Sequence, residues 1–203
     1  MNTQTIAAKQ YFAHPQALVE SDDIGRGTRI WAFAHVLPGV RIGADCNICD
    51  HAFIETGAVL GNSVTVKNGV AIWHGVTVED NVFLGPNCVL TNDPNPRAYI
   101  KKSGGELGTT LIRANATVGA NATILCGLTI GQYAFIGAGA VVLKPVPDFG
   151  LVLGNPARQA GWMCRCATRL PLPAPADLDS LATCPQCHSQ FRVTAEGLRL
   201  IQI

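Results

Sequence analysis

The sequence has little charge. Only 14% of its 203 residues are Asp, Glu, Lys or Arg, and the net charge is +1 because 15 basic side chains nearly balance 14 acidic ones. Proteins that bind nucleic acids usually carry a basic surplus, so we expect no nucleic-acid polymer as a partner. Apolar residues make up 48% of the chain, more than so few charges can cover in a monomer. We therefore expect part of the surface to be buried against other subunits.

Long apolar runs and a targeting signal are also lacking. No run reaches the roughly 18 residues that a membrane-spanning helix needs. The N-terminal segment MNTQTIAAKQYFAHP has no charged stretch followed by an apolar one. We expect no membrane insertion and a cytoplasmic location. The eight cysteines are then predicted to be thiols or metal ligands rather than disulfides.

What the sequence does have is a six-residue repeat. An aliphatic residue falls at every sixth position over residues 24–90, and the pattern resumes over 112–142. Chance does not hold one phase through twelve consecutive repeats. The repeat residues are Ile24, Ile30, Val36, Ile42, Ile48, Ile54, Leu60, Val66, Ile72, Val78, Leu84, Leu90, Ile112, Val118, Ile124, Ile130, Ile136 and Val142.

A second position shares this period and predicts the fold. Three residues after the aliphatic one, the sequence has Gly at 27, 39, 57, 69, 75, 127 and 139, Asn at 81, 87, 115 and 121, and Asp at 45 and 93. These residue types tolerate a positive φ and favour turns. Six residues then form one strand and one turn, and three such sides close a triangular coil whose strands stack in parallel. A β-sandwich with coincidental spacing is the alternative.

One segment interrupts the repeat. Residues 92–110 are mostly polar, rich in Pro and Gly, and carry positive charge. A solenoid has no packing need for such a segment, and long excursions from a compact coil are usually functional. We expect an extended loop that reaches a neighbouring solenoid. A tolerated surface insertion is the alternative.

Particular motifs carry a resemblance to a known family. They are TND at residues 91–93, NPRA at 95–98, GNPAR at 154–158 and WHGVTVEDNVFLGPN at 73–87. Together with the repeat, these motifs resemble the left-handed β-helix acyltransferases, and more closely the bacterial N-acetyltransferases that act on 3-amino nucleotide sugars. The nearest members acetylate UDP-2-acetamido-3-amino-2,3-dideoxyglucuronate for lipopolysaccharide O-antigen synthesis.

Repeat and resemblance together predict an all-β protein. We expect a left-handed parallel β-helix over residues 1–158, with the loop 92–110 inserted, and a small tail over 159–203. The resemblance implies a homotrimer with active sites between subunits and acetyl-CoA as co-substrate. It implies acetylation of the 3-amino group of that UDP sugar. A dTDP-3-amino-3,6-dideoxyhexose is the alternative acceptor, and a non-catalytic solenoid scaffold is the alternative of another class.

Two residues are candidates for the chemistry of acetyl transfer, which needs a neutral amine and a stabilised oxyanion. In the resembling enzymes an Asn at the position of Asn92 contacts the acceptor near its amine, with the departing CoA thiolate able to take the final proton. An Asx-turn at the loop is the alternative role for Asn92. His74 stands where relatives often have Asp. It precedes Asn92 by one full coil of three repeats, so the two should stack, and His74 is a candidate general base; a hydrogen bond to substrate or a plain surface position is the alternative.

Further residues are candidates for binding the acceptor through outward-facing aromatic and polar side chains on stacked coils. Arg97 in the loop could also pair with a phosphate or carboxylate, or it is a solvated loop charge. The acceptor set is Trp31, His35, Glu55, Lys67, Trp73 and Arg97.

The donor is expected along the C-terminal coils. Gly137 and Ala138 would let the pantetheine arm approach the backbone closely, and Lys144 and Arg158 would meet the phosphates of CoA. For the glycines in this stretch, turn geometry alone is the alternative.

The tail has a separate cysteine pattern. Cys164 and Cys166 form one pair, and Cys184 and Cys187 form another after a proline-rich stretch. The spacing of the second pair is typical of half a zinc ribbon. A structural zinc ion held by the four thiolates is predicted, and four reduced surface thiols in a β-hairpin are the alternative.

Overall fold

A computed structural model describes residues 10–102 and 104–203. Over this part of the chain there are 25 strands and one 3-10 turn, Gly104–Glu106. None of the helices in it is long and apolar enough to span a membrane. The strands are β1 (Phe12–Ala13), β2 (Leu18–Val19), β3 (Asp23–Ile24), β4 (Arg29–Ile30), β5 (His35–Val36), β6 (Arg41–Ile42), β7 (Asn47–Ile48), β8 (Phe53–Ile54), β9 (Val59–Leu60), β10 (Thr65–Val66), β11 (Ala71–Ile72), β12 (Val76–Val78), β13 (Phe83–Leu84), β14 (Val89–Leu90), β15 (Thr110–Ile112), β16 (Thr117–Val118), β17 (Thr123–Ile124), β18 (Thr129–Ile130), β19 (Phe135–Ile136), β20 (Val141–Val142), β21 (Gly150–Leu153), β22 (Arg158–Trp162), β23 (Leu181–Thr183), β24 (Gln190–Thr194) and β25 (Gly197–Gln202).

Three sheets form the sides of a triangular solenoid. Across the described ranges, sheet 1 has the order β1-β4-β7-β10-β13-β16-β19-β21-β22, sheet 2 has β2-β5-β8-β11-β14-β17-β20, and sheet 3 has β18-β15-β12-β9-β6-β3. The chain visits the three sheets in turn, so neighbouring strands in a sheet come from successive coils. Their pairing is parallel until β22, which returns antiparallel to β21. The predicted parallel solenoid is confirmed.

Residues at equivalent positions of successive coils lie side by side. Ile30 pairs with Ile48 in sheet 1, and Val36 pairs with Ile54 in sheet 2. The repeat residues from Ile30 to Val142 point inward and are at most 2% exposed. Burial of each large aliphatic side chain contributes about 1.5–3 kcal/mol, so these interior ladders are the main stabilising feature of the fold.

The solenoid begins two strands before the repeat becomes visible in the sequence. β1 and β2 pair with β4 and β5, so that Ala13 lies opposite Ile30 and Val19 opposite Val36. These partners are closer in the sequence than the partners on the following coils, which means that the first coil is shortened. The shortening breaks the six-residue phase, and the sequence pattern therefore locates the first repeat only at Ile24.

The corners of the coils require a left-handed backbone. Every glycine and asparagine predicted there has a positive φ, and so does Asp45. Asp93 does not, because the chain leaves the coil at this corner to form the loop. Phe33, His51 and Tyr133 hold the same turn position with φ of 56–60°, although bulky residues rarely adopt this conformation. Stacking of the coils therefore overrides the local preference at these corners.

Both ends of the loop are tied to one corner of the solenoid. The carbonyl of Asn92 accepts a hydrogen bond from the amide of Gly108 at 2.7 Å, and the carbonyl of Gly75 accepts one from the amide of Thr110 at 3.1 Å. At the C-terminal end, β23, β24 and β25 form a small antiparallel sheet. The division of the chain at residue 158 stays a prediction.

We predict that Ile72→Ala lowers the free energy of unfolding by about 2–5 kcal/mol, because it leaves a cavity in a ladder whose neighbouring coils cannot collapse. Urea denaturation followed by circular dichroism measures the change. The matched control is Arg41→Ala on the exposed side of sheet 3, which should change stability by about 0.5 kcal/mol or less. Equal losses in the two variants would contradict the ladder as the source of stability.

Candidate active site

One corner of the solenoid brings together the candidate catalytic residues. Five residues each follow a strand of sheet 2 by two positions, and those strands pair in register on successive coils. We call them the corner column: Thr56, His74, Asn92, Cys126 and Lys144. Coils repeat at about 4.8 Å, so the column is a straight line of side chains. It confirms that His74 and Asn92 occupy equivalent positions on adjacent coils.

Within the described structure, the ring of His74 makes a hydrogen bond through one nitrogen, Nδ1, and none through Nε2. Its Nδ1 lies 3.1 Å from the carbonyl oxygen of Thr56. A carbonyl can only accept, so Nδ1 carries the hydrogen, and in the neutral imidazole Nε2 has the lone pair. The side chain is partly exposed. This tautomer gives His74 a free basic nitrogen on the outer surface of the corner.

Two neighbours fix the position of His74. The Glu55 Oε2 atom accepts a hydrogen bond of 2.7 Å from the backbone amide of His74, so Glu55 orients the turn. Gly57 has φ +87°, and a Cβ atom there would lie 2.4 Å from His74 Nδ1. The imidazole thus fills the space that the missing side chain leaves. Glu55 therefore has a positioning contact in the structure, and its predicted role in binding the acceptor stays a prediction.

The loop beside Asn92 is braced by its own charges. The Lys102 Nζ atom pairs with Asp93 Oδ1 and also donates to the carbonyl of Asn95 at 3.1 Å. The amide of Asn95 donates to Asp93 Oδ1 at 2.9 Å, which forms an Asx-turn. The Lys102 ammonium holds the pKa of the Asp93 carboxyl below its usual range. Arg97 is exposed, and its hydrogen bond in the described structure goes to the carbonyl of Pro96 at 3.3 Å.

A row of rings runs along sheet 2 toward the corner column. The centroids of His35 and Phe53 are 5.6 Å apart, and those of Phe53 and Trp73 are 5.7 Å apart. Trp73 Nε1 donates to the carbonyl of Leu90, which lies on the coil of Asn92, at 2.7 Å. His35 Nε2 lies 2.8 Å from a carboxylate oxygen of Glu20. Phe53 was missed from the sequence, although it follows His35 by one full coil and pairs with it in register.

Trp31 and Lys67 lie on a different face. Both follow strands of sheet 1, and Trp31 Nε1 donates to Asn47 Oδ1 at 2.8 Å. Trp31 also lines an open depression of about 450 Å³ together with Arg29 and Asn68. Within one chain, the structure does not bring Trp31 and Lys67 together with the residues of sheet 2.

The candidates for binding the donor also lie in two separate places. Lys144 and Arg158 line one depression of about 260 Å³ at the last coil. Gly137 lies on sheet 1, and a Cβ atom there would lie 2.3 Å from a methyl carbon of Leu153. Leu153 therefore occupies the Cβ side of Gly137, and the predicted contact of Gly137 with the pantetheine arm stays a prediction. Ala138 follows it at the corner between sheets 1 and 2, away from Lys144.

Cys126 is a column residue that sequence reasoning did not select. It is partly exposed, and its Sγ lies where a side chain on Gly108 would be, at 2.9 Å from an ideal Cβ. Its amide donates to Thr91 Oγ1 at 2.9 Å. The inserted loop hides the equivalence of Cys126 and Asn92, because it separates the two positions by more than the length of one coil.

The four tail cysteines converge. Their sulfur atoms all lie within 4.8 Å of one another, with 3.4 Å between Cys164 and Cys187 and 3.6 Å between Cys166 and Cys184. Metal–sulfur bonds of about 2.3 Å in a tetrahedron place the sulfurs roughly 3.8 Å apart. The spacing therefore fits a tetrahedral thiolate site and exceeds a disulfide bond, which is about 2.05 Å long.

Hydrogen bonds make two of these thiols acidic. The side chain and the amide of Ser189 lower the pKa of Cys187 to about 6, and the hydroxyl of Thr168 lowers the pKa of Cys166. Burial raises the pKa of Cys164. The pair nearer the surface is thus the one set to form thiolates.

The repeat matches a family of known transferases. The family is described as "Bacterial transferase hexapeptide (six repeats)", and it matches residues 23–56, 57–92 and 109–144. The chain belongs to this family. One matched segment ends at residue 92 and the next begins at residue 109. The loop between them is therefore an insertion within the family's repeats.

Individual relatives add detail. Over 187 residues the chain is 48% identical to dTDP-3-amino-3,6-dideoxy-alpha-D-galactopyranose 3-N-acetyltransferase of Aneurinibacillus thermoaerophilus, covering 92% of this chain and 93% of the relative. It is also similar to the acetyltransferase domain of PglB from Neisseria gonorrhoeae FA1090, solved in complex with acetyl coenzyme A, with 25% identity and a TM-score of 0.51 over 74% of this chain and 57% of that chain. The UDP-N-acetylglucosamine acyltransferase from Campylobacter jejuni has the same fold, with a TM-score of 0.52, 16% identity and 74% of each chain covered.

We predict that Gly57→Ala impairs turnover with acetyl-CoA far more than Gly39→Ala does. Both glycines have a positive φ in the same kind of corner, so each alanine costs about 1–2 kcal/mol of stability. Only the alanine at 57 would collide with the His74 ring, because a Cβ at 39 would meet nothing closer than a methyl group of Thr56 at 3.4 Å.

Steady-state kinetics and thermal denaturation of both variants measure the two effects. Similar melting temperatures with a lower kcat for Gly57→Ala support the positioning of His74. Equal kcat values in the two variants would mean that the placement of His74 over Gly57 is unimportant for turnover.

Proposed function

We propose that this protein transfers the acetyl group of acetyl-CoA to the amino group of a nucleotide-linked amino sugar. The observation that carries the proposal is the corner column, in which His74 presents a free Nε2 one coil from Asn92. The relative from A. thermoaerophilus, which is similar over nearly its whole length, supports an amino sugar as the acceptor. A non-catalytic scaffold, the alternative, would not require an oriented imidazole at this position.

The chemistry needs few groups. The amine nitrogen attacks the thioester carbonyl carbon, an N–C bond forms, the C–S bond breaks, and CoA leaves as its thiolate. The amine proton goes to His74 Nε2, which returns it to the CoA sulfur. Asn92 orients the amine by accepting a hydrogen bond on its amide oxygen. A sugar amine with a pKa of about 8, like that of an α-amino group, is partly neutral at pH 7. His74 therefore assists the transfer and does not have to generate the free amine.

We infer that the acceptor is a dTDP-3-amino-3,6-dideoxyhexose. The UDP-2-acetamido-3-amino-2,3-dideoxyglucuronate expected first is a uronate, whereas the relative that is 48% identical acts on a dTDP-linked 3,6-dideoxy sugar. Phe53 and Trp73 in the row of rings on sheet 2 supply an apolar surface against which a deoxysugar or a base can pack. Arg97 offers a guanidinium to the diphosphate.

We further propose that the active unit is a homotrimer. Trp31 and Lys67 lie on sheet 1, and the row of rings lies on sheet 2, so a site that uses both faces needs two chains. The low charge of the sequence favours contact with a neighbouring chain, and so does Tyr99 in the loop, which is 81% exposed. Lys144 and Arg158 would hold the phosphates of CoA about two coils, or about 10 Å, from Asn92. The cytoplasmic location stays a prediction.

The decisive assay measures release of the CoA thiol from acetyl-CoA with a panel of UDP- and dTDP-linked amino sugars. We expect the highest kcat/KM with a dTDP-3-amino-3,6-dideoxyhexose and little release with dTDP-sugars that lack the amine. Asn92→Ala should abolish or strongly reduce turnover. His74→Asn should lower kcat by about 10²–10⁴-fold, the usual worth of a general base.

The control for these variants is His51→Asn, which removes an exposed histidine at a different corner and should keep the wild-type kcat. Unchanged kcat in His74→Asn would make the CoA sulfur the sole proton acceptor and exclude the base role. No thiol release with any amino sugar would contradict the proposed function and favour the scaffold.

A further inference from the structure

The tail has only a small apolar core. Its buried residues, together with Phe149 of the last coil, form a cluster separate from the solenoid interior. Domains of this size commonly need a disulfide, a metal or an external contact, and all eight cysteines are free thiols. The members of the cluster are Phe149, Trp162, Cys164, Leu170, Cys184, Phe191, Val193 and Leu198.

The two cysteine turns are built alike. The residue after the second cysteine of each pair has a positive φ, 63° at Ala167 and 59° at His188. In both turns a backbone amide folds back: the amide of Ala167 donates to the carbonyl of Cys164 at 2.9 Å, and that of His188 donates to the carbonyl of Cys184 at 3.1 Å. Such paired turns aim four sulfurs at one point.

Polar groups around the sulfurs complement negative charge. The Arg165 Nε atom donates to Ser189 Oγ at 3.2 Å, and that oxygen lies 3.3 Å from Cys187 Sγ. The Ser189 oxygen accepts from the guanidinium, and when Cys187 is a thiolate the Ser189 hydroxyl is positioned to donate to it. Ser189 is fully buried, so this arrangement is not a surface accident. Groups of this kind around a site raise metal affinity about 10–100-fold.

The tail is docked on the last coil of the solenoid through its backbone. The amide of Asp148 donates to the carbonyl of Glu196 at 3.0 Å, and the amide of Leu198 donates to the carbonyl of Asp148 at 3.1 Å. Arg113 holds the Asp148 carboxylate at 2.8 Å. Gly197 sits between these bonds, and a Cβ there would lie 2.4 Å from the carbonyl oxygen of Asp148.

We propose that Cys164, Cys166, Cys184 and Cys187 bind one Zn²⁺ as four thiolates, and that the ion makes the tail a cap for the C-terminal end of the solenoid. The ends of solenoids need caps because the last coil otherwise exposes its interior. Phe149 of the last coil packs edge-on against Phe191 of the tail at 5.2 Å, so the metal-bound tail covers this end. The proposal is independent of the proposed catalytic function.

Elemental analysis of the full chain, purified under reducing conditions, tests the metal. We expect about one zinc per chain, and after exchange with Co²⁺ the thiolate-to-cobalt absorption of a tetrahedral site. Cys166→Ser and Cys187→Ser should lose both signals, while Cys49→Ser, which removes a thiol of the solenoid, should keep them. Wild-type protein without metal, or with iron in place of zinc, would overturn the assignment.

Limited proteolysis tests the cap. We expect the tail to be cut rapidly in Cys166→Ser and in chelator-treated protein, while the solenoid stays intact and keeps its circular dichroism. Gly197→Ala separates docking from metal binding, because it should keep about one zinc and still expose the tail to protease. A tail that remains protected without metal, or in Gly197→Ala, would overturn the capping role.

Discussion

The parallel pairing of residues one coil apart is the constraint on which the rest of the structure depends. An aliphatic ladder on each side of the prism is buried almost completely, and a slip of one residue would turn a whole ladder toward solvent. The register is therefore strongly fixed. Once it is fixed, any two residues at equivalent turns must stack, whatever their own preferences. Phe33 and Tyr133 show the strength of this constraint, since they accept a left-handed backbone at corners where glycine would be easier.

The candidate chemistry follows from the same register. His74 and Asn92 need no dedicated scaffold to meet, because they are the same turn of two adjacent coils. Lys144 continues that line toward the last coil, where Arg158 joins it. The loop, which carries positive charge and the exposed Tyr99, leaves and returns at this corner. The reaction is proposed to take place at the same corner. A site on the outer surface of a solenoid is open on one side. In the proposed trimer, a neighbouring chain would close that side.

Much of this arrangement could be predicted from the sequence because spacing alone determines it. The ladders, the glycine corners, the loop and the stacking of His74 on the coil before Asn92 all follow from counting. What could not be predicted depends on side-chain contacts between coils. The hydrogen bond from the His74 amide to Glu55 and the packing of Leu153 against the Cβ side of Gly137 have no signal in the repeat. The docking of the tail on Asp148 has no periodic signal, since Gly197 lies far outside the repeat.

The central claim is that acetyl transfer takes place at the corner column. A crystal structure of the protein with CoA and a dTDP-3-amino-3,6-dideoxyhexose tests it most directly. The account predicts that the CoA sulfur and the sugar amine meet beside His74 and Asn92, with the phosphates of CoA near Lys144 and Arg158. Ligands bound at another corner, or a sulfur far from both side chains, would contradict it.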